Sequence, residues 1–255
     1  MPESQASPFP HGSTPIPAAF ISLLVSEFRL SSGDEILEIG SGDGYLARAV
    51  APYVARVDAL DESPSTLAVA RELGRSDSGR VRYIAGRAEE FVPASSYNLV
   101  LSLEALHLVA DKAIVLQRAA SALAADGSIC VAWVEYFWET QLFPSYRAAF
   151  ADVGIDWGSL PNLAVLDLKA LTDAVLPDMA VAHGSRVTQV PQRFSLEEIA
   201  SFLSSTSKAY GLSPADRNQL REMLLQRFRR TGAPDSVSGH SRYVVSYCTF
   251  SGPRR

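Results

Sequence analysis

Apolar positions in the first half of the chain follow two alternating rhythms. Short runs rich in Val, Ile and Leu stand at 35–39 (EILEI), 55–60 (ARVDAL), 81–85 (VRYIA), 97–102 (YNLVLS) and 128–134 (SICVAWV). Between them, at about 16–29, 44–52, 64–74 and 110–125, apolar residues recur at helical spacing. In the last stretch Ile114, Leu116, Ala119, Ala120 and Leu123 share one side. The first rhythm predicts strands and the second amphipathic helices. Repeated strand–helix–strand units predict an α/β fold, doubly wound, with parallel strands and helices on both faces of the sheet. Strands covered on both faces read as nearly continuous apolar runs, as these do. Asp126-Gly127 is expected to close the helix before the fifth strand.

After residue 135 the rhythm breaks. Residues 136–185 carry Tyr136, Phe137, Trp138, Phe143, Tyr146, Phe150 and Trp157 at helical spacing, with no strand signal until VTQVPQ at 187–192. Helices are predicted near 195–207 and 214–230. The first opens with Ser195 three residues before Glu198, a capping-box pattern. TGAPDSVSGHS (231–241) reads as a loop and SRYVVSYCTF (241–250) as a strong closing strand. There is no internal repeat, and 255 residues suit one large domain or one domain with an insertion.

Composition narrows the function classes. A net charge of −5 gives no long-range attraction for nucleic acid or an anionic membrane. Cys130 and Cys248 lie inside apolar or aromatic runs, which predicts reduced core thiols, and no zinc-type spacing occurs. No apolar run approaches the ~18 residues of a membrane span. The polar start MPESQASPFPHGSTPIP is unlike a secretory leader, so a cytoplasmic location is expected.

Chemistry concentrates in EILEIGSGDGYL, where Glu38 precedes Gly40, Ser41, Gly42 and Gly44. A strand running into a glycine turn and then a helix builds a site at the carboxyl edge of a parallel sheet. Gly40 permits a sharp turn, and Gly42 lets a ligand approach the backbone. Amide hydrogens at the helix start face the same space. The alternative is a tight turn without a ligand. A dinucleotide fingerprint would place its third glycine at 45, which is Tyr45, and no Lys-Ser or Lys-Thr follows the glycines as a triphosphate loop requires. Asp61, with Glu62 beside it, stands at the tip of the second strand, where an acid can accept both hydroxyls of a ribose. Asp61 can also cap the following helix, although Ser63 serves equally well there. Asp58 lies within the strand and is given no role.

The motif E-I-G-S-G-D-G followed by an acid-tipped strand resembles the class I S-adenosylmethionine-dependent methyltransferases. GRAEEFVPASSYNLVLSLEALHLV and SALAADGSICVAWVEY extend the likeness, which covers about residues 16–250 and is strongest in the first half. Within the class the chain is most similar to the small-molecule branch that includes trans-aconitate methyltransferase. That branch carries A-x-x-[LF]-H-W after strand four, matched here by Ala105, Leu106 and His107, with Leu108 where Trp is usual. The resemblance implies a Rossmann-like seven-stranded sheet, mostly parallel with an antiparallel last strand, and a helical lid inserted after strand five. It implies one domain: an N-terminal cap segment (1–30), a cofactor-binding core (31–135), the lid (136–186) and a part completing the sheet (187–255). The implied cofactor is S-adenosylmethionine, with S-adenosylhomocysteine as product. Its implied contacts are Glu38, Gly40, Ser41, Gly42, Gly44, Asp61, Glu62, Ala88, Glu89, Ser102 and Leu103. Ala88-Glu89 would lie beside the adenine and the backbone at Ser102-Leu103 near the sulfonium. Three positions depart from the pattern: Asn98 and Asp126 replace a usual Asp and Gly, and Arg87 stands where the adenine region usually has an acid.

Methyl transfer from a sulfonium is an in-line displacement in which alignment dominates. Where a base is needed, His107 and Glu104, just past the tip of strand four, are the candidates. A structural role for His107, and a cation contact or surface pair for Glu104, are the alternatives. Tyr136 and Trp138 are candidate walls of an acceptor pocket, with packing as the alternative, and His11 or Phe9 would reach it from the N-terminal segment. Arg186 and Arg193 would suit a carboxylate-bearing acceptor or else be solvated. The expected function is methyl transfer to a small-molecule acceptor by a monomer or homodimer, with no metal, nucleic acid or membrane partner. The alternatives are a non-catalytic binder of the same cofactor and a nicotinamide-dependent oxidoreductase.

Overall fold

The structure is a computed structural model that describes residues 16–75, 79–93, 96–138, 143–154, 166–179, 181–205 and 212–251. Seven strands form one sheet: β1 (Glu35–Ile39), β2 (Arg56–Asp61), β3 (Val81–Ala85), β4 (Tyr97–Leu103), β5 (Leu123–Trp138), β6 (Val181–Ser195) and β7 (Ser236–Phe250), in the order β3-β2-β1-β4-β5-β7-β6. The four pairings among β1–β5 are parallel, with Ile36 opposite both Val57 and Leu99. Ser128, early in β5, meets Thr249, late in β7, through hydroxyls 2.8 Å apart, as the antiparallel pairing of the last strand requires. The helices are α1 (Ala18–Glu27), α2 (Tyr45–Val50), α3 (Pro64–Leu73), α4 (Lys112–Ala122), α5 (Phe143–Asp152), α6 (Leu168–Val175), α7 (Leu196–Ser205) and α8 (Pro214–Arg230).

The described residues fall into two compact units. One holds the described parts of 16–135, 165–188 and 243–255; the other holds those of 136–164 and 189–242. In the first, alternate strand residues face opposite ways. Leu37, Ile39, Leu60, Val100, Ile129 and Val131 pack with Val115, Leu116 and Ala119 of α4, Leu168 of α6, and Phe250. On the other face Phe20 of α1 packs on Tyr243 of β7, both buried, with ring centroids 4.7 Å apart. Within the stretch expected to form a lid, α6 is therefore part of this core. The second unit has its own core, in which Phe150, Phe194, Ile199, Leu203, Leu220, Leu224 and Phe228 join α5, α7 and α8. The start of α7 is capped as expected, Ser195 exchanging bonds with Glu198, and that of α8 is capped in the same way by Ser213 and Asp216.

Three expectations need correction. Asp126-Gly127 does not close α4. That helix ends at Ala122, Leu123 already pairs with Tyr97, and the ladder resumes only at Ser128 opposite Leu99. Asp126, at φ +57°, lies in the excursion between, so the turn signal was real but sits inside β5. Likewise β7 begins at Ser236, within the stretch read as a loop, and β6 runs from Val181 rather than 187. β6 is an edge strand whose residues are mostly exposed or half-buried, so no apolar run announces it. Gly184 within it lies under the Tyr247 ring, where a Cβ would come within 2.3 Å of Cζ.

Asp58 has a structural place on β2. Fully buried, it accepts from Arg82 Nε (2.9 Å) and Nη2 (2.5 Å) and from the Tyr97 hydroxyl (2.6 Å). A buried carboxylate is tolerated on a strand when it is bonded this way.

Candidate active site

The carboxyl ends of β1, β2 and β4 carry the candidate residues. After Ile39 the chain turns through Gly40, Gly42 and Gly44, at φ +74°, +54° and +75°. All three conformations are left-handed, which explains glycine at each. Backbone bonds tie the turn to β2: the N–H groups of Gly40 (2.8 Å) and Ser41 (3.0 Å) both donate to the carbonyl of Leu60. Gly40 is also closely packed, since a Cβ there would lie 2.2 Å from Cβ of Ala105. At Gly42 nothing among the described residues lies within 4 Å of an added Cβ, so open space meets the backbone at the position expected to receive a ligand.

Asp61 is joined to this turn. Its Oδ2 accepts from Gly42 N–H (2.8 Å) and its Oδ1 from Ser63 N–H (2.9 Å). Ser63 caps α3 through Thr66, as expected, so Asp61 is not needed for the cap. Each carboxylate oxygen keeps capacity for a further donor. Glu62 beside it is exposed.

Buried polar atoms without hydrogen-bond partners among the described residues mark the same edge: Glu38 Oε2, Ser41 Oγ and Ser102 Oγ. Glu38 is 3% exposed. Burial, reinforced by the Asp43 and Asp61 charges, pushes its carboxyl up to about 8, against the pull of the Ala47 N–H and Arg48. Ser102 and Leu103 end β4. Buried polar groups are normally bonded, so unpartnered ones at a strand edge suit a ligand.

Glu104 follows at φ +56°. The residue as a whole is exposed, yet its carboxyl turns inward, Oε1 accepting from Val134 N–H. Desolvation pushes it up to about 7, with the Val134 bond opposing. His107, half-buried in a 3-10 turn (Leu106–Leu108), is held below its ordinary value by burial and then by the Lys112 ammonium. A neutral imidazole results near pH 7, able to accept a proton. Ala88 packs at the margin of the sheet core. Beside it, Glu89 is held below the ordinary carboxylate range, chiefly by its own backbone N–H, then by Arg87 and the N–H groups of Asp111 and Ala110, against burial. Its Oε1 lies 3.2 Å from Arg87 Nη2.

Of the acceptor-side candidates, Tyr136 and Trp138 lie in β5, where their backbone alone is described, and His11 and Phe9 lie outside the described residues. Arg186 pairs with Glu27 at 2.7 Å, and Arg193 donates to Ser236 at 2.8 Å. Residues not singled out from sequence support the turn. Arg48 Nη1 donates to the Asp43 carbonyl (2.6 Å) and lies 3.4 Å from the Tyr83 hydroxyl, and a Cβ on Gly44 would lie 2.5 Å from the Tyr83 ring.

The glycines separate packing from ligand space. Gly40→Ala should lower stability by about 2–5 kcal/mol, combining the left-handed penalty with overpacking, and Ala105→Gly should restore part of it, as read from urea midpoints. Gly42→Ala meets open space and should lose only the left-handed penalty, about 1–2 kcal/mol, while filling the cradle.

Among the described residues no helix is long and apolar enough to cross a membrane, and no group of His, Cys, Asp and Glu side chains could hold a metal. Residues 36–127 match a family profile described as a methyltransferase domain. The ubiquinone biosynthesis O-methyltransferase of Azorhizobium caulinodans is 31% identical over 139 residues, 51% of this chain and 54% of that protein. This chain spans about half the length of the curated relatives it matches. A putative methyltransferase from an antibiotic biosynthesis pathway of Anabaena variabilis shares the fold with a TM-score of 0.58 at 17% identity, covering 91% of this chain and 98% of that one. The (4+2) cyclase SpnF shares it at 0.55 and 16%, covering 92% and 82%. Over residues 36–127 the chain is similar in sequence to methyltransferase domains, and over most of its length it shares the fold of solved methyltransferases.

Proposed function

We propose that this protein transfers the methyl group of S-adenosylmethionine to a small-molecule acceptor. The observation that carries the reading is the Gly42 turn, open to a ligand and hydrogen-bonded to the carboxylate of Asp61. The unpartnered Glu38, Ser41 and Ser102 atoms at the same strand ends fit a polar, partly cationic ligand. S-adenosylmethionine supplies a methyl group already activated on a sulfonium, so alignment is the main demand. Asp61 offers acceptors for ribose hydroxyls while holding Gly42 N–H in place. Glu38 offers the unpartnered Oε2 of its carboxyl to a cationic group. His107, neutral near pH 7, accepts the proton when the acceptor presents a hydroxyl. The Azorhizobium relative, named for O-methylation in ubiquinone biosynthesis, supports a small acceptor. Free, buried Cys130 and Cys248 suit a reducing cytoplasm.

Thermal unfolding with S-adenosylmethionine, S-adenosylhomocysteine and NAD tests the donor, because a ligand that binds the folded state raises its midpoint. A rise with the first two and none with NAD is expected; a rise with NAD alone overturns the reading. Transfer of a labelled methyl group across a panel of phenols, carboxylates and amines then tests catalysis. Donor binding with no transfer to any member would favour the non-catalytic binder.

A further inference from the structure

We infer that Glu104 is a positioning residue: its side chain anchors the tip of β4 to β5 and so fixes the donor site's β4 wall against the glycine turn. The inference rests on the donor reading above.

The regular β4–β5 ladder ends at Leu103 opposite Ala132. One residue on, Glu104 N–H still donates to the Ala132 carbonyl at 3.0 Å. Its backbone then enters the left-handed region at φ +56°, which a non-glycine residue occupies at a penalty and holds only when its surroundings impose it. What imposes it here is the side chain. Oε1 of Glu104 accepts from Val134 N–H, so the carboxylate replaces the acceptor that a longer β4 would have presented to β5. Glu104 thus holds β5 at both Ala132 and Val134 while its backbone turns away.

That turn delivers Ala105 to Gly40. With no side chain at Gly40 the Ala105 methyl packs onto its backbone, and a Cβ there would lie 2.2 Å from Ala105 Cβ. The glycine turn is thereby placed against the β4 tip, next to the buried and unpartnered Ser102 Oγ.

The test uses Glu104→Ala, Glu104→Gln and Glu104→Gly, with S-adenosylhomocysteine affinity by calorimetry and hydrogen exchange of the Val134 amide. Gln keeps an oxygen that accepts from Val134 N–H. Gly relieves the left-handed backbone but supplies no acceptor. Affinity should fall by up to about tenfold in the Ala and Gly variants, the limit in which the full ~1.4 kcal/mol of the lost bond is needed to hold the donor site in its binding form, and stay within about twofold in the Gln variant. Val134 exchange should accelerate in Ala and Gly and not in Gln. A general base would leave affinity for this methyl-free product unchanged in all three. A purely structural anchor would change Val134 exchange and thermal midpoint without changing affinity. Either result overturns the inference, as does a Gln variant that behaves like Ala. Should the Ala variant fail to fold, the Gln and Gly variants carry the same comparison. Wild-type protein that binds no S-adenosylhomocysteine overturns the donor reading and this inference together; wild-type binding with unaffected variants overturns this inference alone.

Discussion

Asp61→Ala is expected to weaken S-adenosylhomocysteine binding by at least a hundredfold while the protein still folds. Asp61 does two things with one carboxylate. It accepts from Gly42 N–H at 2.8 Å and from Ser63 N–H at 2.9 Å, fixing the glycine turn to the end of β2. The remaining lone pairs are available to two ribose hydroxyls. Hydrogen bonds to a charged acceptor contribute about 1.5–3 kcal/mol each, so losing two from the ligand corresponds to roughly a hundredfold or more. The apo protein loses less, because Gly42 adjoins open space and its amide can turn to water. Asp61→Asn should be nearly as harmful, since its NH2 must face one of two N–H donors. Calorimetric affinities of the two variants, with urea midpoints to confirm folding, decide the matter. An Ala variant binding within threefold of wild type would remove the ribose role, and Asp61 would then be a turn anchor only.

How far the sequence could be read depends on the range of the interactions involved. β1, β3 and α8 were legible to the residue because each is announced locally, by a bounded apolar run or by sustained helical spacing. β6 was not, because an edge strand half open to solvent carries no apolar run. Asp126-Gly127 misled for a related reason: the dipeptide specifies a turn but not whether a helix or a strand surrounds it. The same division runs through the site. The glycine turn and Asp61 lie on consecutive strands, and their spacing could be read directly. The approach of Ala105 to Gly40, of Tyr83 to Gly44 and of Val134 to Glu104 joins distant parts of the chain, and no local pattern encodes it. Glu38 was visible as an acid before the glycines, but its missing partner became apparent only with burial.

That missing partner leads to the second expected result: Glu38→Gln should stabilise the apo protein at alkaline pH and impair donor binding. Glu38 alternates with Leu37 and Ile39, so its side chain points away from their cluster. Its carboxyl is pushed up to about 8, first by burial and then by Asp43 and Asp61. In the unfolded chain the same group titrates at its ordinary value of 4.5. Between these values the folded state keeps a proton that the unfolded chain has released. Stability therefore falls as pH rises from about 4.5, and the loss is complete above about 8. Gln cannot ionise, so the variant should match wild type near pH 4.5 and exceed it by a few kcal/mol near pH 8.5. A cationic group of the donor beside the carboxylate would reverse the balance, because an opposite charge favours the ionised form. Donor binding should then release a proton near pH 7, seen as a calorimetric heat that varies with the ionisation enthalpy of the buffer. The Gln variant should release none and bind about tenfold more weakly or worse, as expected where a charge-assisted contact is lost. Equal stability profiles for the two proteins from pH 5 to 8.5 would show that burial does not hold the proton. Equal donor affinity would show that Glu38 makes no contact with the ligand. An acid that destabilises the empty protein while strengthening the complex is an instance of stability being traded for binding at a functional site.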